Sequence, residues 1–353
     1  MAPNRKRLVY FERWVHEAAE PILATRPDID LVRLRYDGDR AETDAAMRGA
    51  HAYQIAPRTE LHEPWFGDAA LIARCPNLLA ISSTGAGYDM VDVDACTAAG
   101  IIVCNQSGTN RLAVAEHALA MMLVLSRKMM LSNRRMRDGG DLDRFGFEGR
   151  DLGGKTVGLV GIGQIGTRVA ELCRGLLGMT VLAYDPHLTA AEVQARGATP
   201  VGIDDLLARS DFVSVHCPRT VETFGMFGAA RFRQMRRTAY FVNTARGGIH
   251  DEDALADALE QGVLAGAGLD VFLHEPVDPG HRLLAFDNVV SSPHLAGMTV
   301  EAMEAMAVGA ARQWITLLDG EVPPRLVNPE AWSRYAERFG AILGFEPAPS
   351  PRR

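Results

Sequence analysis

The segment Lys155-Thr-Val-Gly-Leu-Val160 runs directly into Gly161-Ile-Gly163-Gln-Ile-Gly166. An apolar strand followed by G-x-G-x-x-G and then by a helical pattern predicts a strand, turn and helix that bind the pyrophosphate of a dinucleotide. Gly161 allows the tight turn, and Gly163 lets the phosphates approach the backbone at the positive end of the helix. Gly166 lets the helix and the strand pack closely.

An acidic residue ends the strand that follows this helix. Val181-Leu-Ala-Tyr184 is followed by Asp185, nineteen residues after Gly166. A carboxylate at this place accepts hydrogen bonds from the ribose hydroxyls of NAD and repels the additional phosphate of NADP. We therefore expect NAD as the cofactor, with NADP disfavoured, and we expect Gln164 and Ile165 to contact it.

The composition narrows the class of protein. The chain has 353 residues, 47% of them hydrophobic and 23% charged, which is enough for about two domains. The net charge of −7 argues against nucleic acid as a partner. The most apolar stretch, 112–125, is interrupted by Glu116 and His117 and is too short for a membrane span. Five widely spaced cysteines without a C-x-x-C pair indicate a reducing, cytoplasmic location and no structural metal.

Two runs of alternating strands and helices predict two doubly wound parallel sheets. In the first run we expect strands near 7–11, 31–35, 51–56, 78–83 and 101–104, with helices near 14–24, 40–48, 66–74 and 92–99. In the second run we expect six strands, at 156–160, 180–184, 212–215, 239–242, 267–271 and 288–291. We further expect a long helix at about 110–130, an extended arm over 139–154 and a helix at 300–318.

Three charged side chains follow strands of the second run. They are Arg246, Glu275 and His294. Because the carboxyl ends of parallel strands line the ligand crevice, we expect the three to converge beside the nicotinamide. An arginine that holds a carboxylate and an imidazolium kept protonated by a neighbouring acid suit hydride transfer to a 2-oxo acid. Taken singly, each is equally compatible with an ordinary loop residue, and only their joint placement favours catalysis.

The chain resembles the family of D-isomer-specific 2-hydroxyacid dehydrogenases, and the resemblance is continuous from about Leu78 to Glu304. The motifs that carry the resemblance are Val114-Ala-Glu-His-Ala-Leu119, Leu152-Gly-Gly-Lys-Thr-Val-Gly-Leu-Val-Gly-Ile-Gly163, His216-Cys-Pro218, Asn243-Thr-Ala-Arg-Gly247, Gly268-Leu-Asp-Val-Phe272 with Glu275-Pro276, and Ser292-Pro-His-Leu-Ala-Gly297.

The resemblance implies roles for individual residues. It implies Arg246 as the substrate anchor, His294 as the general acid/base and Glu275 as the carboxylate that favours the protonated histidine. Further implied cofactor contacts are His216, Cys217, Pro218, Thr244, Ala245, Asp270 and His294. Implied contacts to a small carboxylate substrate are Arg58, Thr84, Gly85, Ala86, Gly87 and Arg246. The glycines of the 83–87 loop make an anion-binding nest physically reasonable.

The resemblance also implies a discontinuous arrangement. A Rossmann cofactor domain, 109–298, is inserted into a flavodoxin-like substrate domain made of 1–108 and 299–340, and 341–353 is expected to be a disordered tail. Family members are usually dimers through the cofactor domain, which would give Met121, Met122, Met129 and Met130 a role. Simple core packing is the alternative for these methionines.

Some features depart from the family pattern and leave alternatives open. His274 replaces a common acid and His250 a common apolar residue, and both are expected at the surface. Only one arginine, Arg58, stands in the loop where phosphoglycerate enzymes tend to have two, which weakens a phosphoglycerate substrate. An NAD(H)-sensing binding protein similar to the family's corepressors, or the same scaffold acting on another substrate such as phosphite, remains an alternative to a 2-oxo acid reductase.

Overall fold

The computed structural model describes residues 5–57, 60–139 and 143–349. The chain forms two compact units. Unit 1 contains Met1–Asn110 and Thr299–Arg353, and unit 2 contains Arg111–Met298. The boundary expected between residues 108 and 109 lies between residues 110 and 111. The boundary expected between residues 298 and 299 lies at that place.

Unit 1 is built on a five-stranded parallel sheet in the order β2-β1-β3-β4-β5. This is the flavodoxin-like order that the sequence predicts. The strands are β1 (Lys6–Phe11), β2 (Ile29–Leu34), β3 (Ala52–Ile55), β4 (Ala80–Ser83) and β5 (Ile102–Cys104). The helices are α1 (Ala19–Ala24), α2 (Arg40–Arg48), α3 (Ala69–Arg74), α4 (Val93–Ala98), α12 (Val300–Leu318) and α13 (Trp332–Leu343).

The helix α12 packs on one face of this sheet. Its small buried residues, such as Ala307 and Ala311, allow close approach. Trp314 is fully buried, and its indole N–H donates to the Gln54 amide oxygen at 2.7 Å. This bond satisfies the one polar group of a large apolar side chain, so α12 has a fixed register on the sheet.

The end of the described chain is ordered, which corrects the predicted disordered tail from residue 341. The helix α13 continues to Leu343, and the Phe345 ring packs edge-on against Phe339. The Ala348 N–H donates to the Gly320 carbonyl at 2.7 Å, and its own carbonyl accepts from Trp332 Nε1. The sequence pattern misses α13 because its proline-rich flank suggests an irregular segment. Residues 350–353 lie outside the described part.

Unit 2 is a seven-stranded parallel sheet in the order β12-β11-β10-β9-β6-β7-β8. The strands are β6 (Thr156–Val160), β7 (Thr180–Tyr184), β8 (Thr199–Pro200), β9 (Phe212–Val215), β10 (Tyr240–Asn243), β11 (Gly266–Leu269) and β12 (Val289–Ser291). The helices are α5 (Arg111–Ser126), α6 (Met129–Arg137), α7 (Gln164–Leu177), α8 (Ala190–Ala195), α9 (Ile203–Arg209), α10 (Ala229–Gln234) and α11 (Glu252–Glu260). Apolar clusters cover both faces of the sheet, as expected for a Rossmann domain.

Three predictions for unit 2 need correction. The six expected strands are present, but a seventh, β8, extends the edge beside β7, and its two residues are too few to give a pattern. The helix expected over 110–130 ends at Ser126, because Lys128 adopts a left-handed conformation (φ 50°) before α6 starts. The expected arm contains a 3₁₀ turn at Arg144–Phe147, and residues 140–142 lie outside the described part.

The five cysteines are free thiols, and four of them are buried. In the described residues, no helix combines the length and the apolar composition that a membrane crossing requires.

Candidate active site and cofactor site

The glycine turn after β6 has the geometry that the sequence predicts. Gly161 has φ +90°, and a Cβ there would lie 2.8 Å from the Cys217 nitrogen. A Cβ on Gly166 would collide with the Gly161 carbonyl oxygen. Gly163 is the N-cap of α7 and has open space where a side chain would be. The first amides of α7, including those of Gln164 and Ile165, therefore lie behind a surface that a phosphate can reach.

A groove of about 470 Å³ lies beside this turn. Its charged lining consists of Arg111, Arg168, Arg196 and Glu171. Arg196 donates to the Ile162 carbonyl of the turn at 2.7 Å. Three guanidinium groups and one carboxylate give the groove a net positive charge. This charge favours the binding of phosphate groups near the N-terminus of α7.

Asp185 is held against the same turn. One carboxylate oxygen accepts the Ile162 N–H and the other accepts the His187 N–H, both at 3.1 Å. The carboxylate is thus oriented at the end of β7, where the ribose of a dinucleotide lies in this fold. His216 directly follows β9, which pairs with β6 on the side away from β7. It bonds Ser214 Oγ at 2.9 Å, and removal from water lowers the pKa of His216 to about 4. Its Nδ1 is buried without a partner in the described chain.

The three predicted charged residues follow three adjacent strands. Arg246 comes three residues after β10, Glu275 six after β11 and His294 three after β12. Because these strands are neighbours in the sheet, their loops meet at its carboxyl edge. Gly247 strengthens this proximity, since its backbone packs against the Phe272 carbonyl and leaves no space for a side chain.

Glu275 and His294 form a charge-assisted hydrogen bond. The Glu275 Oε2 lies 2.9 Å from His294 Nδ1, and its Oε1 accepts the Phe272 N–H at 3.0 Å. Burial opposes the charged form of Glu275, but the hydrogen bond and charge of His294, the Phe272 N–H and the charge of Arg246 outweigh it. Together they hold the pKa of Glu275 below its usual value. The carboxylate is therefore ionised at neutral pH.

A buried carboxylate holds the loop that carries His294. Asp270 is fully buried and accepts from Ser292 Oγ at 2.6 Å, from the Leu295 N–H at 2.7 Å and from the Ala296 N–H at 2.9 Å. The His294 N–H donates to the Asp270 carbonyl at 2.7 Å. These bonds keep His294 in a left-handed conformation (φ 57°) that non-glycine residues rarely adopt.

Sequence reasoning missed the role of His117 at this place. Its Nε2 lies 2.9 Å from Ser292 Oγ and 3.7 Å from Asp270. Because the serine hydroxyl donates to Asp270, it accepts from His117, which fixes the proton on Nε2. The signal was present, since His117 lies in the quoted motif 114–119, but spacing alone does not connect it with Ser292, 175 residues later in the chain.

The segment after β10 is fixed by Asn243. Its amide oxygen accepts the Ala245 N–H, and its amide nitrogen donates to the Arg246 carbonyl, both at 2.9 Å. Arg246 Nη1 donates to the Ala245 carbonyl at 2.6 Å. The hydroxyl of Thr244 is buried and has no partner in the described chain, so it is available to a bound group.

The predicted substrate loop lies in unit 1, directly after β4. The Gly85 carbonyl accepts the Gln106 N–H at 2.8 Å, and the Ala86 carbonyl accepts from the Asn105 amide at 2.9 Å. The Gly87 carbonyl accepts from Ser83 Oγ. No hydrogen bond between described residues uses the N–H groups of 85–87, which is the arrangement of an anion nest.

Thr84 is buried and bonds the Ile55 carbonyl, and Arg58 lies outside the described residues.

The two unusual histidines differ. His274 is exposed, as predicted. His250 is 2% exposed, so the surface interpretation is wrong for it. Among the methionines, Met121 and Met122 are buried in the core, whereas Met129 and Met130 are more than half exposed on α6.

Comparison with known proteins identifies the family. Residues 119–296 match the family model described as "D-isomer specific 2-hydroxyacid dehydrogenase, NAD binding domain". The chain is 40% identical to a glyoxylate reductase of Thermofilum pendens, over 74% of this chain and 78% of that protein. The chain belongs to the family of D-isomer-specific 2-hydroxyacid dehydrogenases.

Two further relatives show the extent of the similarity. A D-3-phosphoglycerate dehydrogenase of Archaeoglobus fulgidus is 38% identical over 88% of this chain, and the chain spans 58% of that protein. The crystal structure of a glyoxylate reductase from Paecilomyes thermophila superimposes with a TM-score of 0.82 and 29% identity, covering 92% of this chain and 98% of that one.

The cofactor of this family member is NAD. The residues present fit it on several independent observations. The open N-cap at Gly163 and the positive groove suit its pyrophosphate, the oriented Asp185 suits its adenosine ribose, and the unpaired Thr244 hydroxyl suits a polar group of its nicotinamide half.

We expect Gly166→Ala to weaken NADH binding by this protein at least about tenfold, because the added Cβ collides with the Gly161 carbonyl and opens the turn. Gly175→Ala, on the same helix, is the matched control. Its Cβ meets open space, so it should leave the dissociation constant unchanged and raise the free energy of unfolding by up to about 1 kcal/mol. Titration of NADH fluorescence measures the NADH dissociation constant of each variant. Equal dissociation constants for the two variants would contradict the assignment of this turn as the cofactor site.

Proposed function

We propose that the protein is an NAD-dependent D-2-hydroxyacid dehydrogenase, which interconverts a small 2-oxo acid and its D-2-hydroxy acid. The observation that carries the proposal is the hydrogen bond between His294 Nδ1 and Glu275 Oε2, in a loop cluster that also contains Arg246. Family membership and the relatives named glyoxylate reductase and phosphoglycerate dehydrogenase support the same reaction class.

His294 is proposed as the general acid in reduction and the general base in oxidation. Its Nδ1 faces Glu275, so the proton that is exchanged with the substrate oxygen resides on Nε2. The imidazolium is the form that can donate a proton to a developing alkoxide, and the ionised Glu275 carboxylate lies against its other ring nitrogen. Glu275 keeps the ring oriented while the proton moves, because its other oxygen is anchored on the Phe272 N–H.

Arg246 is proposed as the anchor of the substrate carboxylate. A guanidinium can hold a carboxylate with two parallel hydrogen bonds and polarise the adjacent carbonyl group. The bound cofactor supplies a hydride to C2 of the 2-oxo acid, or accepts one from the D-2-hydroxy acid.

The 84–87 loop of unit 1 is proposed to contribute further carboxylate contacts. The carbonyl groups of 85–87 are occupied by Gln106, Asn105 and Ser83, so the N–H groups of 85–87 are the atoms left to a ligand. Arg58 is proposed to contact the distal end of the substrate, as the resemblance implies.

The test is oxidation of NADH and, separately, NADPH with a panel of 2-oxo acids: glyoxylate, hydroxypyruvate, pyruvate, phenylpyruvate, 2-oxoisocaproate, oxaloacetate and 3-phosphohydroxypyruvate. We expect turnover with NADH in preference to NADPH. Arg246→Ala should raise KM for the 2-oxo acid, and His294→Gln should lower kcat by about 10²- to 10⁴-fold. Arg282→Ala, which removes an exposed arginine paired with Asp257 and Glu260, is the control and should match the wild type.

Failure of the whole panel with intact NADH binding would contradict the proposed reaction. It would favour either a sensing protein of the corepressor type or a different substrate such as phosphite. A partner-binding assay with and without NADH, and phosphite oxidation with NAD, separate these two alternatives.

We further propose that the protein is a homodimer through unit 2. The exposed Met129, Met130 and Met136 of α6 form an apolar surface that such an interface would cover. Light scattering should give a molar mass near twice 38.3 kDa, and a mass of 38.3 kDa would contradict the dimer.

A further inference from the structure

A buried histidine lies beneath the turn that carries Arg246. His250 stands between β10 and α11 and is 2% exposed. Its ring meets the ring of Phe241 edge to face, with 5.5 Å between their centroids. The backbone beside it is pinned by hydrogen bonds of Phe227 to Ile249 and Asp251. The position of the ring is therefore well defined.

The orientation of Asn243 follows from the backbone groups around it. Its oxygen must face the Ala245 N–H, which is a donor, and its nitrogen must face the Arg246 carbonyl, which is an acceptor. A flipped amide would oppose like groups at both places. The amide nitrogen is consequently the atom that lies 3.0 Å from His250 Nδ1.

The proton of His250 can be placed from this arrangement. An amide nitrogen only donates, so His250 Nδ1 accepts and carries no hydrogen, and the proton of the neutral ring is on Nε2. Burial lowers the pKa of His250 to about 4, which agrees with a neutral ring. The Nε2 is buried and has no partner in the described chain.

We propose that His250 is a positioning residue for substrate binding: its Nδ1 holds the Asn243 amide, and through that amide it fixes the Thr244–Arg246 turn that presents Arg246 to the substrate carboxylate. With His250 in place, both hydrogens of the Asn243 amide have acceptors and its oxygen has a donor. The inference rests on the proposed function, because it assigns Arg246 the substrate carboxylate.

Packing alone does not explain a histidine at this position. A leucine would fill similar space beside Phe241, and the unpaired Nε2–H that it removes offsets the Asn243 N–H that it leaves unpaired, so its folding stability should be close to that of the wild type. What leucine lacks is an acceptor for Asn243. The ring nitrogen therefore contributes to the turn and not to the core.

Two variants separate positioning from stability. His250→Leu keeps the volume and removes the acceptor, whereas His250→Asn keeps an acceptor near the position of Nδ1 and leaves a cavity. We expect His250→Leu to raise KM for the 2-oxo acid by about five- to tenfold, the effect of losing one hydrogen bond, with kcat and NADH affinity within about twofold. His250→Asn should restore KM and melt at a lower temperature.

The matched control is His51→Leu in unit 1. His51 Nδ1 also accepts a partly buried backbone hydrogen bond, from the Arg7 N–H at 2.8 Å, but it supports no proposed site residue. It should leave KM unchanged. The inference is overturned if His250→Leu has the wild-type KM, or if KM of the two His250 variants follows their melting temperatures.

A second readout does not depend on turnover. Nitrogen-15 NMR of the histidine rings at pH 7 should show His250 protonated at Nε2 only. Hydrogen exchange of the Asn243 side-chain amide should be faster in His250→Leu than in the wild type. If the wild type reduces no 2-oxo acid, the proposed function fails while this readout still decides whether His250 holds Asn243. A proton on Nδ1, or unchanged Asn243 exchange in His250→Leu, overturns the inference.

Discussion

The proposed catalytic side of unit 2 depends on one buried carboxylate. Asp270 is completely removed from water, and such a group is tolerated only when hydrogen-bond donors surround it. The groups that donate to the Asp270 carboxylate come from the segment that follows β12, whereas Asp270 itself follows β11. Satisfying this charge therefore ties two loops together, and the same tie holds His294 in its unusual backbone conformation within reach of Glu275.

The same arrangement at two strand ends connects the sheet with the proposed chemistry. A buried polar side chain stands at or directly after the carboxyl end of β10 and of β11, namely Asn243 and Asp270. Each bonds the backbone of the segment that carries a charged candidate, Arg246 in one case and His294 in the other. Because such bonds are costly to break in the interior, the loops gain fixed positions although they lie outside the regular sheet. His250 extends this support beneath Asn243.

The sequence predicts much of this architecture because the determining features are local. The glycine turn after β6 shows its function through fixed spacing, and the six longer strands of unit 2 are apolar runs with clear ends. Convergence of Arg246, Glu275 and His294 follows from the rule that parallel strands end at one edge. Their pairwise geometry needed the structure, because it depends on loops held by distant groups.

What could not be predicted depends on tertiary contacts. The break at Lys128 lies within a helical pattern and is visible only in its backbone angles. The ordered segment around Ala348 is stabilised by Gly320 and Trp332 rather than by its own composition. His250 resembles a surface residue in the sequence, yet it is enclosed by elements that the local pattern does not bring together.

The central claim is that the ionised Glu275 carboxylate holds His294 in place as the proposed proton donor. The most direct measurement is the pH dependence of kcat/KM for 2-oxo acid reduction by the wild type and by Glu275→Gln. Because the pKa of Glu275 is held below its usual value, wild-type activity should persist as the pH falls until this carboxylate takes up a proton, whereas the profile of Glu275→Gln should lack this acidic limb. Profiles of the same shape that differ only in height would contradict the claim.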